Sequence, residues 1–269
     1  MKNYEQYFEA NKKLWNKRVD INFNSKFYAN DEYKKTKISL NSIELNELGN
    51  ISGKNILHLQ CHFGQDTLSL ANLGASVTGV DFSEEAITKA KQLSKDLNLK
   101  ANFICSNIYD LKEKLDERFD IIFTSYGTIG WLPDIKKWAN IVSHFLKPEG
   151  EFIIVEFHPF IWMLDNNFEK IKYPYFHTDE PIEETISGTY ADTNAKIEMV
   201  EYGWNHSISD VINSLINEGM EIKSFNEFCY SPYNCFPNMI EMEKGKFIFE
   251  KFKNILPIVY SIKAEKRLK

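Results

Sequence analysis

The sequence predicts an α/β fold, in which a doubly wound, mostly parallel sheet carries helices on both faces. Between Asn55 and Asp81 the chain reads as an apolar strand, a turn at Gly64, a helix, and a second apolar strand that stops on the carboxylate. Two later segments, FDIIFTSYG and EFIIVEF, are almost continuously apolar, which is typical of parallel strands buried on both faces. These observations put a parallel sheet at the centre of the molecule.

Composition limits the classes of protein to which the chain can belong. Its 269 residues, 43% of them hydrophobic, suffice for one large α/β domain with an elaboration. The formal net charge of −6 argues against a dedicated nucleic-acid-binding protein, because phosphate neutralisation needs a positive surface. The four cysteines show no C-x-x-C spacing, so we expect reduced thiols and no metal site. We see no signal peptide and no apolar run of about 18 residues, and we expect a soluble, cytoplasmic protein without a membrane partner.

Residues 1–50 precede the first core strand and are predicted to form a helical cap. Aromatic residues and a leucine recur at roughly helical spacing between Tyr4 and Trp15. A second helix is predicted from Ser39 to Leu48. The aromatic side chains of the first helix could close over a ligand or simply cover the sheet.

The alternation of strands and helices continues beyond Asp81. Ser83 is predicted to cap the helix that runs to Leu97. A third strand follows at residues 103–105, with a loop at 106–110, and FDIIFTSYG is the fourth strand. A helix at residues 135–145, a turn at KPEG and the fifth strand, EFIIVEF, come next.

A different pattern interrupts the alternation between residues 158 and 206, where the sequence is aromatic and irregular. The stretches IEETISGTY and KIEMVEYGW predict two antiparallel strands around the turn ADTN. We interpret this segment as an inserted lid within a domain that spans residues 51–269. A helix from Ser209 to Glu218 and the strands EIKSFNEF and IVYSIKAEK complete the prediction.

The order of these elements and the turn LHLQCHFGQDT resemble the class I S-adenosylmethionine-dependent methyltransferases, over about residues 52–265. The resemblance implies a Rossmann-like sheet of seven strands in the order 3-2-1-4-5-7-6, with the last strand antiparallel. It also implies S-adenosylmethionine as cofactor, S-adenosylhomocysteine as product, and in-line methyl transfer to a small-molecule acceptor. The chain departs from the family's usual acid followed by G-x-G-x-G, because His58, Gln60 and His62 stand at the acid and the first two glycines.

The resemblance assigns the cofactor site to nine residues at strand ends: Gln60, His62, Gly64, Asp81, Phe82, Asn107, Ile108, Ser125 and Tyr126. Gly64 would let the backbone approach the cofactor, where a Cβ would collide. Asp81 would accept hydrogen bonds from the ribose hydroxyls. The side chains of Gln60 and His62 would themselves contact the cofactor.

The remaining assignments concern the two ends of the cofactor. Phe82, Asn107 and Ile108 would surround the adenine, although Phe82 could equally belong to the core and Asn107 to a plain turn. Ser125 and Tyr126 would face the methionyl end, and Tyr126 could instead be ordinary packing at a strand end.

The catalytic residues are not identified by the sequence. A general base is needed only if the acceptor keeps its proton until transfer. The weak candidates are His158, His206 and Tyr126, together with His62, and the acids Glu156 and Asp165 rank below them.

An aromatic-rich set is predicted either to pack the lid or to line an apolar acceptor pocket. Its members are Trp131, Phe157, Phe160, Trp162, Tyr173, Tyr175, Phe176 and Trp204.

Two other functions stay open. One is a methyltransferase acting on RNA or protein, which would need a basic surface. The other is a non-catalytic cofactor-binding module, which the missing glycines favour. The oligomeric state is not predicted.

Overall fold

The computed structural model describes residues 4–253 and 255–268. Its helices and strands, in chain order, are α1 (Glu5–Phe23), α2 (Asn30–Thr36), α3 (Ser42–Leu48), β1 (Asn55–Leu59), α4 (Gln65–Asn72), β2 (Ser76–Asp81), α5 (Glu84–Leu97), β3 (Asn102–Cys105), β4 (Phe119–Ser125), α6 (Ile135–Phe145), β5 (Leu146–Phe157), β6 (Ile182–Ser187), β7 (Glu198–Gly203), α7 (Ile208–Asn217), β8 (Met220–Phe228), β9 (Met239–Glu243), β10 (Lys246–Phe249) and β11 (Val259–Lys266).

Seven of the strands form one sheet in the order β3-β2-β1-β4-β5-β11-β8. Strands β1 to β5 pair in parallel, whereas β11 runs antiparallel to both β5 and β8. With β8 and β11 counted as the sixth and seventh strands, the predicted order and the reversed final strand are confirmed.

The central strands are largely apolar because both faces of the sheet are buried. Leu57 and Ile122 point into a cluster with side chains of α6 and α7. Their neighbours Ile56 and Ile121 point to the opposite face, into a cluster that includes Leu70 of α4. Successive side chains of a strand face opposite ways, so each layer of helices takes alternate residues of the same run.

The inserted lid contains the predicted antiparallel pair, β6 and β7. It rests on α1, where the side-chain amide of Asn11 donates to the carbonyl of Tyr202 and accepts from its N–H, at 2.8 and 3.0 Å. The first helix therefore packs against the lid. The division into a cap over residues 1–50 and a domain over residues 51–269 stays a prediction.

Four elements differ from the sequence predictions. Helix α2 was not predicted, because its seven residues bury only Tyr33 and show no apolar period. The hairpin of β9 and β10 was also missed. The predicted turn KPEG lies within β5, as an irregularity where Glu149 has φ +59° and the register with β4 shifts. Part of the predicted loop at 106–110 is a 3-10 helix over residues 108–113.

No helix in the described part of the chain has both the length and the apolar character needed to cross a membrane.

Candidate functional site

A large cavity lies where the parallel strands of the sheet end. Its volume is about 1110 Å³, and its floor includes the segments that follow β1, β2, β3 and β4. Helix α1, residues 27–39, the β6–β7 hairpin and residues 233–237 contribute its other walls. The volume lies just above the roughly 300–1,000 Å³ that is typical of small-molecule pockets.

All nine residues that the sequence assigned to cofactor binding line this cavity. They are Gln60, His62, Gly64, Asp81, Phe82, Asn107, Ile108, Ser125 and Tyr126. They come from four different strand ends, and the parallel topology brings them to one edge of the sheet.

The turn after β1 keeps a left-handed backbone at alternate residues. Gln60, His62 and Gly64 have φ values of +55°, +50° and +82°. These are the three positions where the resemblance expects glycine. A left-handed conformation costs a residue with a Cβ about 1–2 kcal/mol. The backbone of this turn therefore has the left-handed conformations that glycine favours, although two of the three residues carry side chains.

Gly64 is needed for packing as well as for its backbone angle. A Cβ built on it would lie 2.9 Å from the ring of Phe103 and 3.0 Å from the Cβ of Ala90. Both neighbours belong to the apolar cluster between α4 and α5. The space that a side chain would fill thus lies on the core side, and the predicted close approach of a ligand to Gly64 has no support in these contacts.

Asp81 is joined directly to the same turn. One carboxylate oxygen accepts from the backbone N–H of His62 at 2.8 Å, and the other accepts from the N–H of Ser83 at 2.9 Å. Burial raises the pKa of Asp81 to about 6, although both hydrogen bonds oppose the change. Each oxygen keeps a lone pair for a further donor.

The segment after β3 forms the neighbouring wall. The side-chain oxygen of Asn107 accepts from the N–H of Tyr109 at 3.1 Å and caps the 3-10 helix. Ile108 is buried and belongs to the main core cluster. Asn107 therefore has a structural role, and its position on the cavity wall keeps the predicted contact with adenine possible.

The end of β4 meets two acids, the half-buried Asp66 and the fully buried Glu44. Ser125 donates to Asp66 at 3.3 Å, and Tyr126 donates to Glu44 at 3.0 Å. Ser39 also donates to Asp66, at 2.5 Å. Burial raises the pKa of Asp66, and burial together with Asp66 raises the pKa of Glu44 to about 7. Sequence reasoning missed both acids, although Asp66 lies in the same motif as Gly64.

Glu156 organises the loop that follows β4. Its carboxylate accepts from the backbone N–H groups of residues 127, 128 and 129, from the hydroxyl of Thr128, and from the N–H of Phe157. Its side chain is buried and is not part of the cavity wall. Because its oxygens are occupied by these donors, Glu156 is a positioning group for the loop rather than an available base.

His158 and His206 lie away from the cavity. The ring of His158 accepts from the N–H of Phe160 through Nδ1, and its Nε2 lies 3.1 Å from a carboxylate oxygen of Glu227. Nε2 of His206 bonds the carbonyl of Leu132 at 2.7 Å, and burial lowers the pKa of His206 to about 4. Neither histidine is among the residues that line the cavity.

His62 and Tyr126, the other candidates, do line the cavity. Nδ1 of His62 lies 3.2 Å from the hydroxyl of Tyr28, and burial lowers the pKa of His62 to about 3. Burial and the adjacent Glu44 raise the pKa of Tyr126 well above its ordinary value. Both side chains are therefore neutral near pH 7, and neither is a strong base.

Aromatic side chains form much of the cavity wall. Of the predicted set, Trp131, Phe157, Trp162, Tyr173 and Trp204 line the cavity, whereas Phe160, Tyr175 and Phe176 do not. Trp15 of α1 also lines it, with its ring centroid 5.3 Å from that of Trp131 and 5.4 Å from that of His62. The cap thus contributes directly to the site.

Comparisons with known proteins agree on one family. A sequence profile described as a methyltransferase domain matches residues 50–209, which is more than half of the chain. A ubiquinone biosynthesis O-methyltransferase from Coxiella burnetii is 32% identical over 123 residues, 46% of this chain and 49% of the relative. One from Hydrogenovibrio crunogenus is 25% identical over 146 residues, 54% of this chain and 57% of the relative. The chain thus matches only about half the length of these curated relatives.

Solved structures show the same fold. An S-adenosylmethionine-dependent methyltransferase from Clostridium acetobutylicum superposes with a TM-score of 0.60 at 16% identity, over 90% of this chain and 98% of the other. A second, from Methanosarcina mazei, gives a TM-score of 0.56 at 21% identity, over 86% and 100% of the two chains.

Proposed function

The chain belongs to the class I S-adenosylmethionine-dependent methyltransferases, and on that premise we propose that it transfers a methyl group from S-adenosylmethionine to a small-molecule acceptor. The curated relatives with the matching domain are named as enzymes of ubiquinone biosynthesis, which supports a small acceptor. The observation that carries the proposal is the meeting of Asp81 and the left-handed turn at the wall of one large cavity.

The adenosine end is proposed to lie between Asp81 and the segment after β3. The carboxylate of Asp81 is held by two backbone N–H groups and has lone pairs left for the ribose hydroxyls. Asn107 uses its side-chain oxygen to cap a helix, so its amide N–H groups are the part that would face the adenine. Phe82 and Ile108 are the apolar surfaces proposed for the two sides of the ring.

The methionyl end is proposed to lie near Ser125, Tyr126 and the turn. Gln60 donates to the carbonyl of Thr128 at 2.7 Å, which ties this turn to the loop after β4. Asp66 has no Lys or Arg among its hydrogen-bond partners in the described residues, only hydroxyl groups. A half-buried carboxylate on the cavity wall is stabilised by a positive charge, so Asp66 is proposed to accept from the ammonium group of the cofactor.

The bound cofactor supplies a methyl group that its sulfonium has already activated, so the protein's task is alignment and exclusion of water. Trp15, Trp131 and the lid contribute apolar walls to this end of the cavity. If the acceptor keeps its proton until transfer, His62 is the one of the three candidate histidines that lines the cavity, because His158 and His206 are not part of its wall.

The non-catalytic alternative depended on the missing glycines. The left-handed φ values of Gln60 and His62 weaken it, because the backbone follows the path that glycines would give. Turnover of cofactor to S-adenosylhomocysteine with any acceptor would exclude a pure binding module.

Isothermal titration with S-adenosylhomocysteine tests the proposal. Saturable binding with one site per chain is expected, and Asp66→Asn should weaken it while Asp110→Asn, an exposed carboxylate change, should not. Failure of the folded wild-type protein to bind S-adenosylhomocysteine would contradict the proposed function.

A further inference from the structure

The lid presents two glutamates to the cavity from directly opposite positions. Glu184 of β6 pairs with Glu201 of β7 in the antiparallel register, and both line the cavity. Ile182 and Ile186 line it from the same face of β6. Like charges that face each other across two strands destabilise a hairpin. Each of the two carboxylates therefore needs a partner.

Arg18 of α1 supplies a partner for only one of the two acids. Its Nη2 donates to Glu201 at 2.9 Å, and its side chain is 6% exposed. Its Nε is buried and has no hydrogen-bond partner among the residues that the structure describes, and the guanidinium lies over the ring of Trp15 at 5.2 Å. Among the described residues, Arg18 is the only lysine or arginine that lines the cavity.

Glu184 has other partners, among them the hydroxyl of Tyr173, which donates to it and lines the cavity as Asn166 does. Lys172, which is nearly half exposed and not part of the cavity wall, lies 2.9 Å from one of its oxygens, and Asn166 donates to the other at 2.6 Å. On the part of the wall formed by the hairpin and α1 there are thus two carboxylates and one guanidinium, and the whole wall carries four further carboxylates, those of Glu32, Asp66, Asp81 and Asp165. Glu201 has a side chain that is 26% exposed, so it stays accessible from the cavity.

The surrounding wall is aromatic. Trp131, Trp162, Tyr173 and Trp204 line the cavity together with the two glutamates. Aromatic rings bury flat apolar groups and attract cations over their faces. An anion entering here would meet two carboxylates and a guanidinium that is already paired, and like-charge contacts of this kind cost several kcal/mol.

Resting on the proposed function, we propose that Glu201, with Glu184 and Arg18, selects the acceptor. The acceptor is a flat, largely apolar molecule whose polar group, an amine or a hydroxyl, donates a hydrogen bond to Glu201. Molecules of the same shape that carry a carboxylate or phosphate are rejected. Arg18 holds the Glu201 carboxylate in place on the cavity wall.

Three matched probes test this selectivity: a naphthylmethylamine, a naphthol and a naphthoate, each titrated calorimetrically into protein saturated with S-adenosylhomocysteine at neutral pH. The amine and the naphthol are expected to bind at least about tenfold more tightly than the naphthoate. In Glu201→Gln, which leaves Arg18 unpaired, the naphthoate should gain about tenfold in affinity and the amine should lose about as much.

Glu198→Gln is the matched control. Glu198 lies on the same strand, is exposed and does not line the cavity, so this variant should keep the wild-type order of probes. Affinity for S-adenosylhomocysteine should be the same in the wild type and both variants, which also verifies that each is folded.

The inference is overturned if wild-type protein saturated with S-adenosylhomocysteine binds the naphthoate as tightly as the other probes, or binds none of them. It is also overturned if Glu201→Gln binds S-adenosylhomocysteine normally and leaves the order of probes unchanged. Absence of S-adenosylhomocysteine binding to the wild type is a different result, since it contradicts the proposed function itself.

Discussion

Asp81→Asn is expected to weaken binding of S-adenosylhomocysteine while changing the stability of the fold very little. The carboxylate accepts from the N–H groups of His62 and Ser83, and burial raises its pKa from 3.8 to about 6. That difference corresponds to about 3 kcal/mol by which burial disfavours the ionised form. Asparagine removes this cost but turns an amide N–H toward one backbone donor, which costs about 1–3 kcal/mol. The two effects on the free energy of unfolding oppose each other.

Ligand binding has no such compensation. Hydrogen bonds to a charged acceptor contribute about 1.5–3 kcal/mol, so the loss of the carboxylate should weaken binding about 10- to 150-fold. The pKa of Asp81 also predicts a pH dependence. The carboxylate becomes protonated as the pH falls through about 6, so wild-type affinity should fall up to about tenfold for each pH unit below that value. The asparagine variant should lack this component.

Isothermal titration with S-adenosylhomocysteine on both sides of the pKa, together with urea unfolding, measures the two effects separately. Asp96→Asn, which changes an exposed carboxylate on α5, is the control and should bind as the wild type does. Equal affinity of wild type and Asp81→Asn, with the same pH dependence below the pKa, would refute the assignment of Asp81 to the ribose.

Three further predictions concern stability. In a urea titration, Gly64→Ala should lower the free energy of unfolding by about 2–5 kcal/mol, because the residue has φ +82° and no space for a Cβ. Gly53 has φ +76° but open space around it, so Gly53→Ala should lower the free energy of unfolding by only about 1–2 kcal/mol. Glu156→Gln should lower the free energy of unfolding by about 2–3 kcal/mol and weaken cofactor binding, because an amide cannot accept from all the donors of the loop after β4. An unfolding curve identical to that of the wild type would contradict this role. Burial raises the pKa of Glu44 from 4.5 to about 7, so its contribution to the free energy of unfolding should fall by about 3 kcal/mol as the pH rises between these values. Glu44→Gln should lack that slope in unfolding measured against pH, and an unchanged slope would show that the titrating group is another.

The strands could be predicted because local patterns mark them, whereas their order in the sheet was implied by the family resemblance. Continuous apolar runs mark strands that are buried on both faces, and the runs around Ile56 and Ile122 are such strands in the structure. The helix α2 and the β9–β10 hairpin carry no comparable pattern, since they bury few side chains, and they were missed. At KPEG the turn residues were recognised, but strand pairing extends through them as an irregularity.

The cavity-lining positions could be predicted for a topological reason. Parallel strands end at one edge of the sheet, so residues that follow β1, β2, β3 and β4 meet there whatever the intervening helices contain. The chemical role of each side chain could not be derived in this way. Gly64 is kept free of a side chain by Phe103 and Ala90, and no local signal distinguishes that reason from close approach of a ligand.

By itself, the sequence determined the α/β class, the positions of the strands along the chain and the edge of the sheet where a nucleoside-type cofactor would bind. Those properties follow from hydrophobic periodicity and from turn residues, which act over a few positions. Only the tertiary structure decided which polar groups share the cavity. The hydrogen bond between Arg18 and Glu201 joins residues 183 positions apart, and that between Tyr126 and Glu44 joins residues 82 apart. Contacts of this kind depend on how α1, α3 and the lid pack on the sheet, and no spacing along the chain encodes them.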